Sequence, residues 1–465
     1  MLVGIVALSS CSNLPSVEPS GDGGASGWST GGTGGSAATG GVGGTGGDGA
    51  SGGAGGIGGS GGAADWFDAP GTWTELQLQR QPEGFRIFQG APEKLKFPPP
   101  DWENCGVGCE STELPFGDVS GSVLVSTAGG PGNSTVAYSG LNHVLKSRRS
   151  YVRRVIRLSD GATVGAIFAK SDPQSTEYPV VDMRWESAMS TMVLDGTGPK
   201  LYGVFEVGHG WDFKEPWDDS NYRSLSCPQF DLDSSPPAYL FACSRGLEIM
   251  SGRGSSAITT IADSEKSVVG AGSHGLAVWA QHPAGDERVS RVRAWTPGEE
   301  ARDLATLPGD VCGLAVGAAR VVGFRGTTGA GSSSFCGTYV TEPRFFYLGK
   351  DGGTVEEGPI VSTEAMTVWS MSTAGNFMAA ATNKDVPTAE RPKSIFLVRL
   401  SDWTMRRFPT PDGKSFSSSS VAVDDEYLYF SLNFNSPEKS SGFERLYRYR
   451  LDHFDQIGQP FEPPK

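Results

Sequence analysis

The stretch Val292–Thr306 reads VRAWTPGEEARDLAT, and its form returns three times. It recurs as RFFYLGKDGGTVEEG at Arg344–Gly358, SIFLVRLSDWTMRRFP at Ser394–Pro409 and RLYRYRLDHFDQIGQP at Arg445–Pro460. Each copy is an apolar-rich run, a two-residue turn and a second run. The turns are Pro297-Gly298, Asp351-Gly352, Ser401-Asp402 and Leu451-Asp452. They fall roughly fifty residues apart, the period of a stacked supersecondary unit. A further hairpin precedes each copy, at Val268–Gln281, Gly313–Phe324, Val368–Ala381 and Val421–Leu432. Period-two alternation, as in Phe396/Val398/Leu400 and Tyr427/Tyr429, marks strands with two different faces.

Two hairpins per repeat make a four-stranded unit, and such units closed in a ring make a β-propeller. Upstream, Val123–Ser126 with Thr135–Tyr138, and Tyr151–Leu158 with Thr163–Ala169, form one such unit. Lys146–Arg157 is compatible with a helix, but the Asp160-Gly161 turn after it favours strand. Met189–Leu194 and Leu201–Val207 flank another turn, and Leu240–Ala242, Leu247–Met250 and Ala257–Ile261 are strand-like. The expectation is an all-β chain with seven blades between about residues 120 and 460. Residues 65–119 add an eighth blade or a strand that closes the ring. Within them, Phe85–Phe88 and Lys94–Phe97 read as a hairpin. Over this span the chain resembles WD40-like and TolB-like propellers, although the WD40 Trp-Asp ending is absent.

With 66 glycines and 30 prolines, the composition is turn-dense. A net charge of −14 disfavours nucleic acid, whose phosphates an acidic surface repels. The amino terminus differs from the rest. Leu2–Leu8 is apolar and too short to span a bilayer, which suits a signal peptide. The run Leu8-Ser9-Ser10-Cys11 resembles the lipobox of bacterial lipoproteins. That resemblance implies cleavage before Cys11, acylation of its thiol and anchoring in the cell envelope, at the outer membrane or cell surface. One departure is that no Lys or Arg occurs before Arg80. Residues 12–64 follow as a disordered linker, because Gly21–Gly62 is more than half glycine. Its span is roughly 35 Å. The domain boundaries are therefore 1–11, 12–64 and 65–465.

The remaining cysteines, Cys105, Cys109, Cys227, Cys243, Cys312 and Cys336, fall in three sequence-near pairs. Local disulfides in an oxidising compartment are one reading, and buried thiols the other. Gly270–Gly275 matches G-x-G-x-x-G, but a strand rather than a helix follows, so no nucleotide site is expected. Gly58–Gly62 matches G-x-S-x-G through glycine richness alone. His143, His209, His274, His282 and His453 lack metal-ligand spacing, and Asp231/Asp233 fit no calcium loop. No cofactor or metal is predicted.

The unusual segment is Gly208–Arg223, where aromatics and acids crowd together without a period. His209, Trp211, Asp212, Trp217, Asp218, Asp219, Tyr222 and Arg223 are the candidate binding residues. Flat rings beside carboxylates suit sugar stacking; an insertion packing on itself is the alternative. The function expected is a non-catalytic binding module for a protein or glycan. A secreted polysaccharide lyase or glycosidase is the alternative, using Tyr222 or His209 as base with Arg223. A structural or assembly factor is the third possibility.

Overall fold

The structure, a computed structural model, describes residues 73–75, 85–90 and 100–113. From residue 124 to 464 it describes the strands below with most of their short turns. The amino-terminal strands are β1 (Trp73–Glu75), β2 (Phe85–Gly90), β3 (Glu103–Gly106) and β4 (Cys109–Glu113). Next come β5 (Leu124–Ser126), β6 (Thr135–Leu141), β7 (Ser150–Arg157) and β8 (Thr163–Ser171). A shorter group is β9 (Ala188–Asp195), β10 (Gly198–Glu206) and β11 (Gly210–Asp212). It precedes β12 (Gln229–Asp231), β13 (Ala238–Cys243), β14 (Gly246–Ser251) and β15 (Ile258–Asp263).

The regular repeats follow. They are β16 (Val269–Ser273), β17 (Leu276–Gln281), β18 (Val289–Trp295) and β19 (Arg302–Pro308), then β20 (Asp310–Val316), β21 (Arg320–Thr327), β22 (Thr341–Gly349) and β23 (Glu356–Ile360). After these come β24 (Met366–Ala374), β25 (Phe377–Lys384), β26 (Lys393–Arg399) and β27 (Thr404–Pro409). The last are β28 (Lys414–Val423), β29 (Tyr427–Phe434), β30 (Phe443–Arg450) and β31 (Gln459–Phe461).

Among the described residues these strands form seven antiparallel sheets. Most are meanders in chain order, and the first strand of one packs against the first strand of the next. This holds from β12 to β16, β20, β24 and β28, and β28 packs in turn on β5 of the first sheet. The hydrophobic cores lie between sheets. Val278 and Val292 meet Val321 and Phe346; Phe324 and Phe345 meet Met378 and Phe396. Leu397 and Phe408 meet Val423 and Phe430, and Ala422 and Leu446 meet Ile156 and Leu158. Sheets stacked face to face around an axis, with the last against the first, constitute a β-propeller.

Local patterns explain the elements. Along β18 burial alternates strictly, one side chain inward and the next half-exposed. Every residue of β20 is buried, because an innermost strand has sheets on both sides. Gly313 permits that approach: a Cβ there would lie 2.5 Å from Val368 Cγ1. The G-x-G-x-x-G run is a hairpin, as expected, with His274 (φ 51°) and Gly275 (φ 76°) making the turn. The basic run ends in strand β7, not helix.

One expectation needs correction. Arg445–Pro460 is not a hairpin: Leu451–His453 forms a 3-10 turn, and β31 pairs with β27 of the preceding sheet. Phe85–Phe88 falls on β2, which pairs with β1 and β8, and its expected hairpin partner, 94–97, lies outside the described residues. The seventh sheet instead takes its outer strands from the amino-terminal segment, in the order β28-β29-β30-β4-β3. Residues 103–113 therefore close the ring, one of the two roles the sequence allowed for that region.

The closing hairpin is stapled by a Cys105–Cys109 disulfide, with Cα atoms 5.1 Å apart. Arg448 lies 3.9 Å above the Trp102 ring and 4.7 Å from Tyr427, and its Nε donates to Glu110 at 2.6 Å. Arg445 donates to Glu103 at 3.0 Å. Cys312 is buried, with Sγ 3.8 Å from the Asp310 carbonyl oxygen. Cys11, Cys227 and Cys336, and the side chain of Cys243, lie outside the described residues, as does the linker.

Candidate functional site

The antiparallel meander gives the ring two unlike ends. At one end, the first and second strands of each sheet join through 274–275, 317–319, 375–376 and 424–426. The third and fourth strands join there through 296–301, 350–355 and 400–403. At the other end, the second and third strands join through 282–288, 328–340, 385–392 and 435–442, generally longer connections. The links from one sheet to the next also lie at that end.

The short-turn end is interlocked. Arg399 donates to Asp402, which accepts the Thr404 N–H at 3.0 Å. Arg157 and Asp160 repeat the arrangement, with Ala162 N–H as the third partner. In both turns the arginine hydrogen bond holds the aspartate carboxyl below its ordinary range. Each later turn also leans on the sheet before it. Gly352 rests on the backbone of Leu304, and Trp403 covers Gly358 and stacks on Tyr347 at 5.5 Å. Arg406 Nε donates to the Phe454 carbonyl at 2.9 Å. At the closure, Ser134 donates to Asp424 Oδ2 at 2.6 Å, while Asp424 Oδ1 accepts the N–H groups of Glu426 and Tyr427. Burial raises the Tyr429 phenol beside this node far above its ordinary range, and the Asp424 charge adds to the shift.

The long-connection end is built differently. His282 Nε2 lies 2.9 Å from Asp310 Oδ1, bridging the fourth and fifth sheets, while Nδ1 lies 2.7 Å from the Val289 carbonyl. Ser290 Oγ donates to the Gly309 carbonyl and accepts the Val311 N–H. Gly309 (φ 79°) has no room for a side chain: a Cβ would lie 2.3 Å from the Gly326 carbonyl. Between the next sheets, Asn383 donates to the Tyr339 hydroxyl at 3.3 Å. Val340 and Met366 exchange backbone hydrogen bonds.

Three successive innermost strands break their ladders at comparable depth. In β20 the register shifts between Val311 and Gly313, placing Cys312 in the bulge. In β24 it shifts between Val368 and Ser370, around Trp369. In β28 it shifts between Phe416 and Val421, so that Ser417–Ser420 have no paired partner in β29. Past the bulges, Ser370 Oγ and Ser372 Oγ accept the N–H groups of Val421 and Val423, joining β24 to β28. Bulges re-aim side chains and cluster beside functional sites. Along β16, β20, β24 and β28 the acidic and basic residues are Asp310 and Lys414, each at a strand start.

Of the sequence-predicted candidates, two fall on strands among the described residues. Trp211 and Asp212 lie on β11, opposite Phe205 and Val204 of β10. His209, Trp217, Asp218, Asp219, Tyr222 and Arg223 lie outside the described residues. The bulged strands went unrecognised because alternation in sequence does not report register. Among the described residues, no group of three His, Cys, Asp or Glu side chains is placed to hold a metal ion. No described helix is long and apolar enough to cross a membrane.

No protein-family model matches the chain, and no curated protein does. Solved structures do. The β-propeller domain of the Trilobed protease from Pyrococcus furiosus is 10% identical, with TM-score 0.42, over 73% of this chain and 97% of that one. The WD40 domain of SCAP from fission yeast is 9% identical, with TM-score 0.39, over 75% and 90%. Pyrococcus horikoshii acylaminoacyl peptidase is 9% identical with TM-score 0.40; the match covers 72% of this chain and only 52% of that one. The likeness is one of fold alone.

Proposed function

We propose that this chain is an exported, lipid-anchored binding protein. Acylated Cys11 holds it to the cell envelope, residues 12–64 tether it, and the propeller presents its long-connection end to a protein or glycan without catalysing a reaction. The observation that carries the reading is the contrast between ends. The short-turn end uses its polar groups on the ring itself, through Arg399–Asp402, Arg157–Asp160 and Ser134–Asp424. Longer connections, the bulged inner strands and the His282–Asp310 bridge gather at the other. In repeat folds, longer connections on one face commonly form the binding surface.

The test uses a photo-crosslinking amino acid placed at Thr388 or Ser440, and at Asp351 or Ser401 as controls, in the full chain within its own envelope. Adducts are expected from the first pair and not from the second. Equal adducts from both ends, or none from the first pair, overturn the reading. Palmitate labelling that survives Cys11→Ala removes the anchor from it.

A further inference from the structure

The hairpin that closes the ring carries its disulfide in an asymmetric setting. Cys105 and Cys109 are four positions apart, yet Cys105 is exposed whereas Cys109 is only 5% exposed. The loop between them is open to solvent. Val107 is 58% exposed, and a Cβ built on Gly106 (φ 138°) would meet nothing within 4 Å. Cys109 belongs to β4, where it stands opposite Tyr449 of β30 and shares the strand with the buried Ser111 and Thr112.

The strand on the exposed side of the bond is lightly held. All four residues of β3 are exposed. Its ladder pairs Glu103 with Ser111, Asn104 with Glu110 and Gly106 with Cys109, and a register shift interrupts it. Glu103, itself 60% exposed, meets Arg445 at 3.0 Å, and an ion pair so open to water is worth little. Edges with few buried contacts are the first to open. The loop also abuts the carboxy-terminal segment. A Cβ on Gly108 (φ 61°) would lie 2.9 Å from His453 Cβ and 3.1 Å from Ile457 Cγ2, and the Gly108 carbonyl accepts the Arg450 N–H at 2.8 Å. The disulfide thus sits where the closing hairpin meets the segment that runs on to β31.

We propose that Cys105–Cys109 is a site of reversible thiol–disulfide exchange with a dithiol reductant, and that its reduction releases β3 from the ring-closing sheet. Exposed disulfides are the exchangeable ones. One thiolate of the reductant attacks the sulfur of Cys105, the S–S bond breaks, and Cys109 leaves as a thiolate that takes up a proton. The reductant's second thiol then displaces Cys105 from the mixed disulfide. Two electrons and two protons pass to the protein, and the reductant ends as its own disulfide. Cys109, buried in the sheet, is the inert partner, so the chemistry enters and leaves through Cys105. This inference goes beyond the binding role and does not depend on it.

The experiment treats the full chain with dithiothreitol under native conditions, quenches with N-ethylmaleimide and maps the two cysteines by mass spectrometry. Reduction is expected at a rate proportional to dithiothreitol and unchanged by low urea, with Cys105 alkylated ahead of Cys109. Hydrogen exchange of the Asn104–Gly106 amides should then rise by roughly tenfold or more, while exchange in β17 stays fixed. Oxidised glutathione should restore the protection. The double variant Cys105→Ser, Cys109→Ser should show the fast exchange without reductant and gain nothing from oxidised glutathione. Its Tm should fall by roughly 3 °C, from the loop-closure entropy of so short a span set against the unfolding entropy of the ring. Reduction that requires denaturing urea, alkylation led by Cys109, or β3 protection unchanged after full reduction overturns the assignment. The measurements on the parent chain need no variant, so they decide the matter even if the double variant does not fold.

Discussion

Replacing Arg448 by alanine tests how the ring is held shut. The guanidinium lies between Trp102 at 3.9 Å and Tyr427 at 4.7 Å, while its Nε bonds Glu110 at 2.6 Å. Each cation–ring contact contributes about 0.5–2 kcal/mol. The charge-assisted hydrogen bond adds about 1.5–3 kcal/mol, toward the lower figure because Glu110 is 35% exposed. Their non-additive sum is about 3 kcal/mol. For a ring of roughly 340 residues, with ~2.1 cal/mol/K of unfolding entropy per residue, that is a fall in Tm of about 4 °C. The loss should also be local. β4 pairs with β30 from Tyr449↔Cys109 to Arg445↔Glu113, so hydrogen exchange of those β4 amides should accelerate more than exchange in β29. A cycle with Glu110→Gln should return a coupling of at least about 1 kcal/mol. Unchanged β4 protection together with a Tm within a degree of the parent refutes the claim that this cluster latches the ring.

Trp403 occupies the left-handed region at φ 57°. Trp403→Gly relieves about 1 kcal/mol of backbone cost but removes the stack on Tyr347 and the cover over Gly358, so urea unfolding should show a net loss of about 1–2 kcal/mol. Gly313→Ala pushes a Cβ into Val368 and Met371 and should cost about 1–3 kcal/mol in the same assay. Burial pushes the Tyr449 phenol up to about 12. A raised folded value means its contribution is full below the ordinary tyrosine range and is lost as pH climbs through about 10 toward 12; Tyr449→Phe should flatten that alkaline fall in Tm. Asp160 and Asp402 have the opposite sign: their carboxyls are depressed, so their contribution is present at neutral pH and lost in acid. Arg399→Ala should slightly reduce the acid-induced drop, by well under about 1 kcal/mol, because the pair is exposed.

Much of the architecture could be read before any coordinates. From β16 onward, alternating side chains and turn residues mark each strand, because every strand packs a different neighbour on each face. The last copy misled because a turn can be read locally whereas a partner cannot. Leu451-Asp452 does turn the chain, but β31 joins a sheet made earlier in sequence. One local signal was overlooked. Arg-Leu-Ser-Asp occurs at both 157–160 and 399–402, and in both places the arginine and aspartate bind each other across a turn. The bulges at Cys312 and Trp369 left no such trace, since a register shift depends on the facing strand. The sequence drew attention to Gly208–Arg223 by composition, and composition does not locate a segment relative to the axis.

The stapled hairpin has a consequence for how the molecule is assembled. Its disulfide joins residues four positions apart, so it requires no long loop to close and needs no other part of the ring. Its docking strand β30 lies far downstream: Arg448 and Glu110 are separated by 338 positions. The clasp therefore depends on nothing downstream, whereas the circle stays open until residues 443–450 join it. Sealing it is a late step whose rate is set by the meeting of distant segments.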